Sequence, residues 1–117
     1  MNIDDKIKAI VAALEDIKAQ DITVLDTSRL TSLFERMVIA SAESSRQTKA
    51  LANSVRDKMK ELGEQVIGTE GEETGEWVLV DMGDVVVHVM HPAVRAHYNL
   101  EELWDAGLQS RARHTGN

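Results

Sequence analysis

Trp77 to His91 reads WVLVDMGDVVVHVMH. Two valine-rich runs flank a short polar centre holding Asp81, Gly83 and Asp84, which is the pattern of a β-hairpin. With Met82 and Gly83 as the central turn residues, the antiparallel register pairs Asp81 with Asp84, Val80 with Val85, Leu79 with Val86, Val78 with Val87 and Trp77 with His88. Alternation puts Val78, Val80, Val85, Val87 and Val89 on one side, and Trp77, Leu79, Asp81, Asp84, Val86, His88 and Met90 on the other. The first side is pure core. The second mixes large apolar groups with a polar end, as on a surface that is half covered by another element or kept for a partner.

The polar groups of this stretch have ordinary explanations. Asp at a turn accepts backbone hydrogen bonds, and the register brings no further carboxylate or histidine near Asp81 and Asp84, so a metal site or an acid/base pair is disfavoured. His88 and His91 have a zinc-like spacing. On a strand, however, residues three apart point to opposite faces, so His88 is expected to pack beside Trp77 and no metal is expected.

Outward from the hairpin, Ile3, Ile7, Ile10, Val11, Leu14 and Ile17 form one helical stripe and predict an amphipathic helix over residues 3–19. DITVLD, Asp21 to Asp26, reads as a short strand, and FERMVIAS, Phe34 to Ser41, as a second strand buried on both faces at Met37 to Ala40. Ser44 with Gln47 is a capping-box pattern, followed by the stripe Leu51, Val55, Met59 and Leu62 that stops at Gly63. Gln65 to Gly68 suggests a further short strand, and GTEGEETGE, Gly68 to Glu76, a loop. Pro92 is placed to open a helix, and Asn99 with Glu102 to cap a second short one running to about Trp104. The order implies a single α/β domain, residues 1–106, with a mixed sheet and flanking helices. Residues 107–117 are expected to be a polar, frayed tail.

The chain has 117 residues, 43% of them hydrophobic and 28% charged, which fits one compact domain. Its formal net charge of -7 disfavours a direct nucleic-acid binder and favours a basic protein surface as partner. With no apolar run long enough for a membrane span, no basic-then-apolar layout in MNIDDK and no cysteine, a cytoplasmic protein without membrane contact is expected. Gly68, Gly71 and Gly75 match no phosphate-binding loop, and no nucleophile elbow is present, so neither cofactor nor catalytic residue is expected.

EWVLVDMGDVVVHVM followed by RAHYNLEELW, with DITVLD and SSRQTKALA upstream, resembles the ribosomal silencing factors, also called the Iojap family. The resemblance spans roughly residues 3–105. It departs at Ala42, where the family usually has Gly before Ser-Ser-Arg, and at Glu35 and Arg36, where it usually has Asp and an aromatic. It implies a factor that binds the large ribosomal subunit through its fourteenth protein at the intersubunit face, blocks joining of the small subunit and represses translation when nutrients are short. It also implies a nucleotidyltransferase-like fold without the catalytic carboxylates, hence no enzyme.

Both lines of reading lead to one expected contact surface: Trp77, Tyr98, Leu100 and Trp104 as apolar anchors, with Asp81, Asp84, Glu101 and Glu102 pairing with basic residues of the partner. Two rival readings are an active nucleotidyltransferase, which would bind nucleotide and metal, and a homodimer that buries the same face. No sequence-specific contact with nucleic acid is expected.

Overall fold

The computed structural model describes residues 1–104. The expected tail at 107–117 and the last two residues of the expected domain, 105 and 106, lie outside the described residues. Five strands, β1 (Gln20–Asp26), β2 (Arg36–Ser41), β3 (Gly68–Glu70), β4 (Trp77–Asp81) and β5 (Val85–Met90), form one sheet in the order β1-β2-β5-β4-β3. The β2–β5 pair is parallel and the other three pairs are antiparallel, so the sheet is mixed as expected. Helices α1 (Ile3–Asp16) and α2 (Ser45–Glu61) cover one face, and the short α3 (Pro92–Tyr98) follows β5.

The helix-covered face holds the larger core. Ile10 and Leu14 of α1 and Leu51, Val55 and Met59 of α2 meet Val38, Ala40, Val78, Val80, Val85, Val87 and Val89 of the sheet. Each valine of the hairpin's first side is therefore core. The opposite face is smaller: Leu25, Met37, Ile39 and Met90 are buried there, with Phe34, Trp77, Val94, Leu100 and Trp104 packed over them. Met37 to Ala40 alternate between these two cores, which accounts for an unbroken apolar run in a strand paired on both edges.

Local chemistry sets the element ends. Ser44 Oγ accepts from the Gln47 N–H at 3.1 Å and starts α2. The Gln47 side chain does not return to the cap; its Nε2 donates to the Ile17 carbonyl at 3.3 Å and ties α2 to the end of α1. α1 stops at Asp16, three residues short of the expected end, because Lys18 takes a φ of 59° to turn the chain into β1. β2 starts at Arg36 rather than Phe34, since Phe34 leaves the strand line to cover the smaller core. The third strand runs over Gly68–Glu70, inside the expected loop, because an edge strand needs only backbone pairing with β4. Pro92 is the first residue of α3, Asn99 ends it at a φ of 49°, and residues 100–104 are helical again.

The hairpin register differs from the expected one. Trp77 pairs with Met90, Val78 with Val89, Leu79 with His88, Val80 with Val87 and Asp81 with Val86. Gly83 and Asp84 are the central turn residues, and the Met82 N–H donates to the Val85 carbonyl at 3.0 Å. Gly83, as first central residue, takes a φ of 84° that glycine adopts without strain, and the Asp84 N–H donates to the Met82 carbonyl at 3.1 Å; Met82 in that position would have been strained. A shift of two residues leaves the strand faces unchanged but separates Asp81 from Asp84. Asp81 Oδ1 accepts from the Gly83 N–H at 2.9 Å. Asp84 leaves the Trp77 side and meets Lys6 Nζ of α1 at 2.7 Å.

Lys6 is only 5% exposed, so its ammonium depends on that carboxylate. Asp84→Ala should destabilise the fold by about 1–3 kcal/mol, below the full cost of breaking a buried pair because Asp84 itself is partly solvated. In urea titrations Lys6→Met should recover most of that loss in the double variant; strictly additive losses would show that the pair does not hold α1 to the turn.

Candidate functional site

The smaller face of the sheet is only partly covered. Leu100 and Trp104 lie over one part of it, and the Trp104 ring meets Phe34 edge-on, centroids 5.6 Å apart at 70°. Beside them an open groove of about 620 Å³ runs over Leu79, Val86 and His88, with Asp81 and Gly83 at its turn end. Its rim carries Leu33, Ile67 and Leu103, which are 81%, 62% and 66% exposed. Three large apolar side chains standing in water around one apolar groove make a contiguous patch rather than scattered surface residues.

Trp77 continues this face past the groove. Its indole Nε1–H donates to His88 Nδ1 at 2.8 Å, and its ring lies 4.9 Å from Tyr98 at 50°. Tyr98 is 56% exposed and borders a second hollow with Val94, His97 and Trp77. Because an indole nitrogen can only donate, His88 Nδ1 must be unprotonated, and the neutral ring carries its proton on Nε2. Burial without a compensating anion pushes the His88 pKa down to about 4. His88 is thus a packed, neutral histidine beside Trp77, as the sequence predicts.

The expected carboxylates divide into engaged and available groups. Glu101 faces Arg95, with Nε to Oε1 at 2.6 Å and a second guanidinium nitrogen to Oε2 at 3.0 Å; the Arg95 hydrogen bonds hold its carboxyl below the usual range. Arg95 also donates to Ser41 Oγ at 2.9 Å and Thr23 Oγ1 at 3.1 Å, so it joins β1, β2, α3 and the helical residues 100–104. Glu102 is exposed and accepts from the Asn99 side-chain amide. Asp81 serves the turn while lining the groove, and Asp84 is bound to Lys6 on the other side of the hairpin.

The structure therefore brings Leu100, Trp104 and Asp81 to one groove, places Trp77 and Tyr98 on its continuation, and ties Glu101 and Asp84 into the fold. Sequence reasoning missed Leu33, Ile67 and Leu103. Leu33 beside Phe34, in a connection whose only other large apolar residue is Leu30, was a usable signal, as was Leu103, three residues after Leu100 on a helical face. Among the described residues no group of three or more His, Asp or Glu is placed to hold a metal ion, and no helix is long and apolar enough to cross a membrane.

A family model described as "Ribosomal silencing factor during starvation" matches residues 1–115. The chain belongs to that family. A Chromobacterium violaceum protein named "Ribosomal silencing factor RsfS" is 62% identical over 104 residues, covering 89% of this chain and 85% of that protein. A Bacillus subtilis protein of the same name is 42% identical, covering 92% of each. A crystal structure of a Chromobacterium violaceum protein superposes with a TM-score of 0.88 at 61% identity, covering 90% of this chain and 88% of that one.

The lowered pKa of His88 has a defined consequence for stability. Between pH 4 and pH 6.5 the unfolded chain binds a proton at this residue that the folded chain refuses. The contribution is complete above about pH 6.5 and is lost as pH falls toward 4. From pH 7 to pH 5 the loss should be about 2 kcal/mol. Urea midpoints measured at both pH values should show it, and His88→Gln should flatten the difference; an unchanged pH dependence in that variant would assign it to other groups.

Proposed function

We propose that this chain docks on the large ribosomal subunit through the fourteenth protein of that subunit, using the groove and its Trp77–Tyr98 continuation. Occupying the intersubunit face would keep the small subunit from joining and so repress translation under nutrient limitation. The observation that carries this reading is the ring of exposed Leu33, Ile67 and Leu103 around an uncovered sheet face, in a chain of the silencing-factor family. Trp104, Leu100 and Tyr98 supply apolar contact area next to that ring. Asp81 is the carboxylate at its edge, Glu102 is exposed beside Leu103 in the chain, and with the net charge of -7 they favour a basic partner. Glu101 and Asp84 contribute by holding the surface in shape.

Steric exclusion needs occupancy and no turnover, so neither nucleotide nor cofactor enters the mechanism. A standard contact of roughly 800 Å² per partner is feasible on a face of this size. The same apolar ring could be covered by a second copy of the chain, and a self-paired face would be released on docking.

Co-sedimentation with isolated large subunits tests the reading. Wild type should bind saturably, and the pair Ile67→Asp and Leu103→Asp, both at exposed positions, should cost about 2 kcal/mol or more, roughly 30-fold in affinity. Undiminished binding by the folded double variant would remove the groove from the contact. Sedimentation of the free chain at several concentrations reads self-association through the same face.

A further inference from the structure

The charge of this chain is unevenly placed. α2 carries five of the thirteen basic residues, Arg46, Lys49, Arg56, Lys58 and Lys60, and two of the twenty acidic ones, Asp57 and Glu61. The remainder of the molecule is therefore strongly acidic. Arg46, Lys49, Arg56 and Lys60 follow one another at spacings that keep them on a single stripe of the helix. That stripe avoids the buried side of α2, made by Thr48, Leu51, Ala52, Val55 and Met59. It also avoids the flank that packs on α1, where Gln47 and Ser54 donate to the Ile17 and Ala13 carbonyls.

Among the described residues, Arg56 alone of the four forms an ion pair, with its exposed neighbour Asp57 at 3.4 Å. Arg46 and Lys60 are exposed and Lys49 is half-buried. From Arg46 to Lys60 the helix rises about 21 Å, enough to follow several successive phosphates of a nucleic-acid strand. Scattered solubilising charges would be interleaved with carboxylates, as Lys6 and Lys8 follow Asp4 and Asp5 on α1; an ordered row of one sign matches a row of the other sign.

We propose that the stripe Arg46, Lys49, Arg56 and Lys60 is a second contact surface, which lies along the phosphate backbone of ribosomal RNA when the chain is seated on the large subunit. This inference rests on the docking reading given above. It is compatible with the net charge of -7 because the contact is not made by the free protein, whose overall field repels RNA. Docking through the groove supplies the effective concentration, and the row of cations then adds affinity without reading sequence. α2 covers the sheet face opposite the groove, so the two surfaces do not compete for the same atoms.

The test compares wild type with a variant in which all four residues are replaced by Gln, measuring binding to isolated large subunits across a series of KCl concentrations. Thermal unfolding first confirms that the variant is folded. The slope of log affinity against log salt should become shallower by about 3, at roughly 0.7 for each phosphate that is no longer neutralised, with at least tenfold weaker binding at low salt. Parallel plots of equal slope would overturn the proposal and leave the stripe a solvated face.

A second arm identifies the partner. The chain has no cysteine, so Ala50→Cys beside the stripe and Lys8→Cys on α1 can each carry a tethered iron–EDTA cleavage reagent. Cleavage of ribosomal RNA from position 50, well above that from position 8, is expected. A shallower salt slope without RNA cleavage from position 50 would overturn the RNA assignment in favour of an acidic protein. Absence of wild-type binding would overturn the docking reading together with this one, whereas binding with an unchanged slope overturns this one alone.

Discussion

The parallel pairing of β2 with β5 at the centre of the sheet is the constraint from which the rest of the molecule follows. Both strands are paired on both edges, and both present large apolar side chains to two sides: Val38, Ala40, Val87 and Val89 to one, Met37, Ile39 and Met90 to the other. Each side must be covered, at a gain of about 1.5–3 kcal/mol for every large side chain taken out of water. Two long helices do this completely on the first side. On the second, the cover comes from Phe34, Val94, Leu100 and Trp104, and it ends before reaching Leu79 and Val86. The groove is the uncovered remainder, and its apolar rim is what a partner would complete.

Polar groups near this face hold the cover in place. Arg95 binds Glu101 through two nitrogens and reaches Ser41 in β2 and Thr23 in β1, so the helical residues 100–104 are fastened across the sheet. Trp77 and His88 share a hydrogen bond that satisfies the indole while leaving the imidazole neutral in apolar surroundings. On the other side, Lys6 draws Asp84 toward α1 and orients the hairpin turn. Several charges that would count as surface groups in a composition argument are therefore internal fasteners. The groove face is correspondingly more apolar than the sequence implies.

Much of this was legible in the residues, and the failures have identifiable causes. Alternation in the valine runs assigned each side chain of the two strands to its face, and a register error of two residues could not disturb that because the period of a strand is two; only Asp84, in the turn, changed sides. The same error hid the true partner of Asp84, since its placement depends on which turn residue has positive φ, and glycine accepts that at either central position in different turn types. Glu101 looked available because its salt bridge to Arg95 depends on how Asn99 reverses the chain. Leu33, Ile67 and Leu103 come from three separate segments, and only the folded sheet brings them to one rim. Nothing in their local periodicity marks them as neighbours.

The most direct test of the account is isothermal titration of the purified chain with the isolated fourteenth protein of the large subunit at several temperatures. Saturable one-to-one binding is expected, with a negative heat-capacity change from apolar burial, weakened by Leu103→Asp. Absence of binding, or binding that Leu103→Asp leaves intact, would contradict the claim that the open groove is the docking surface.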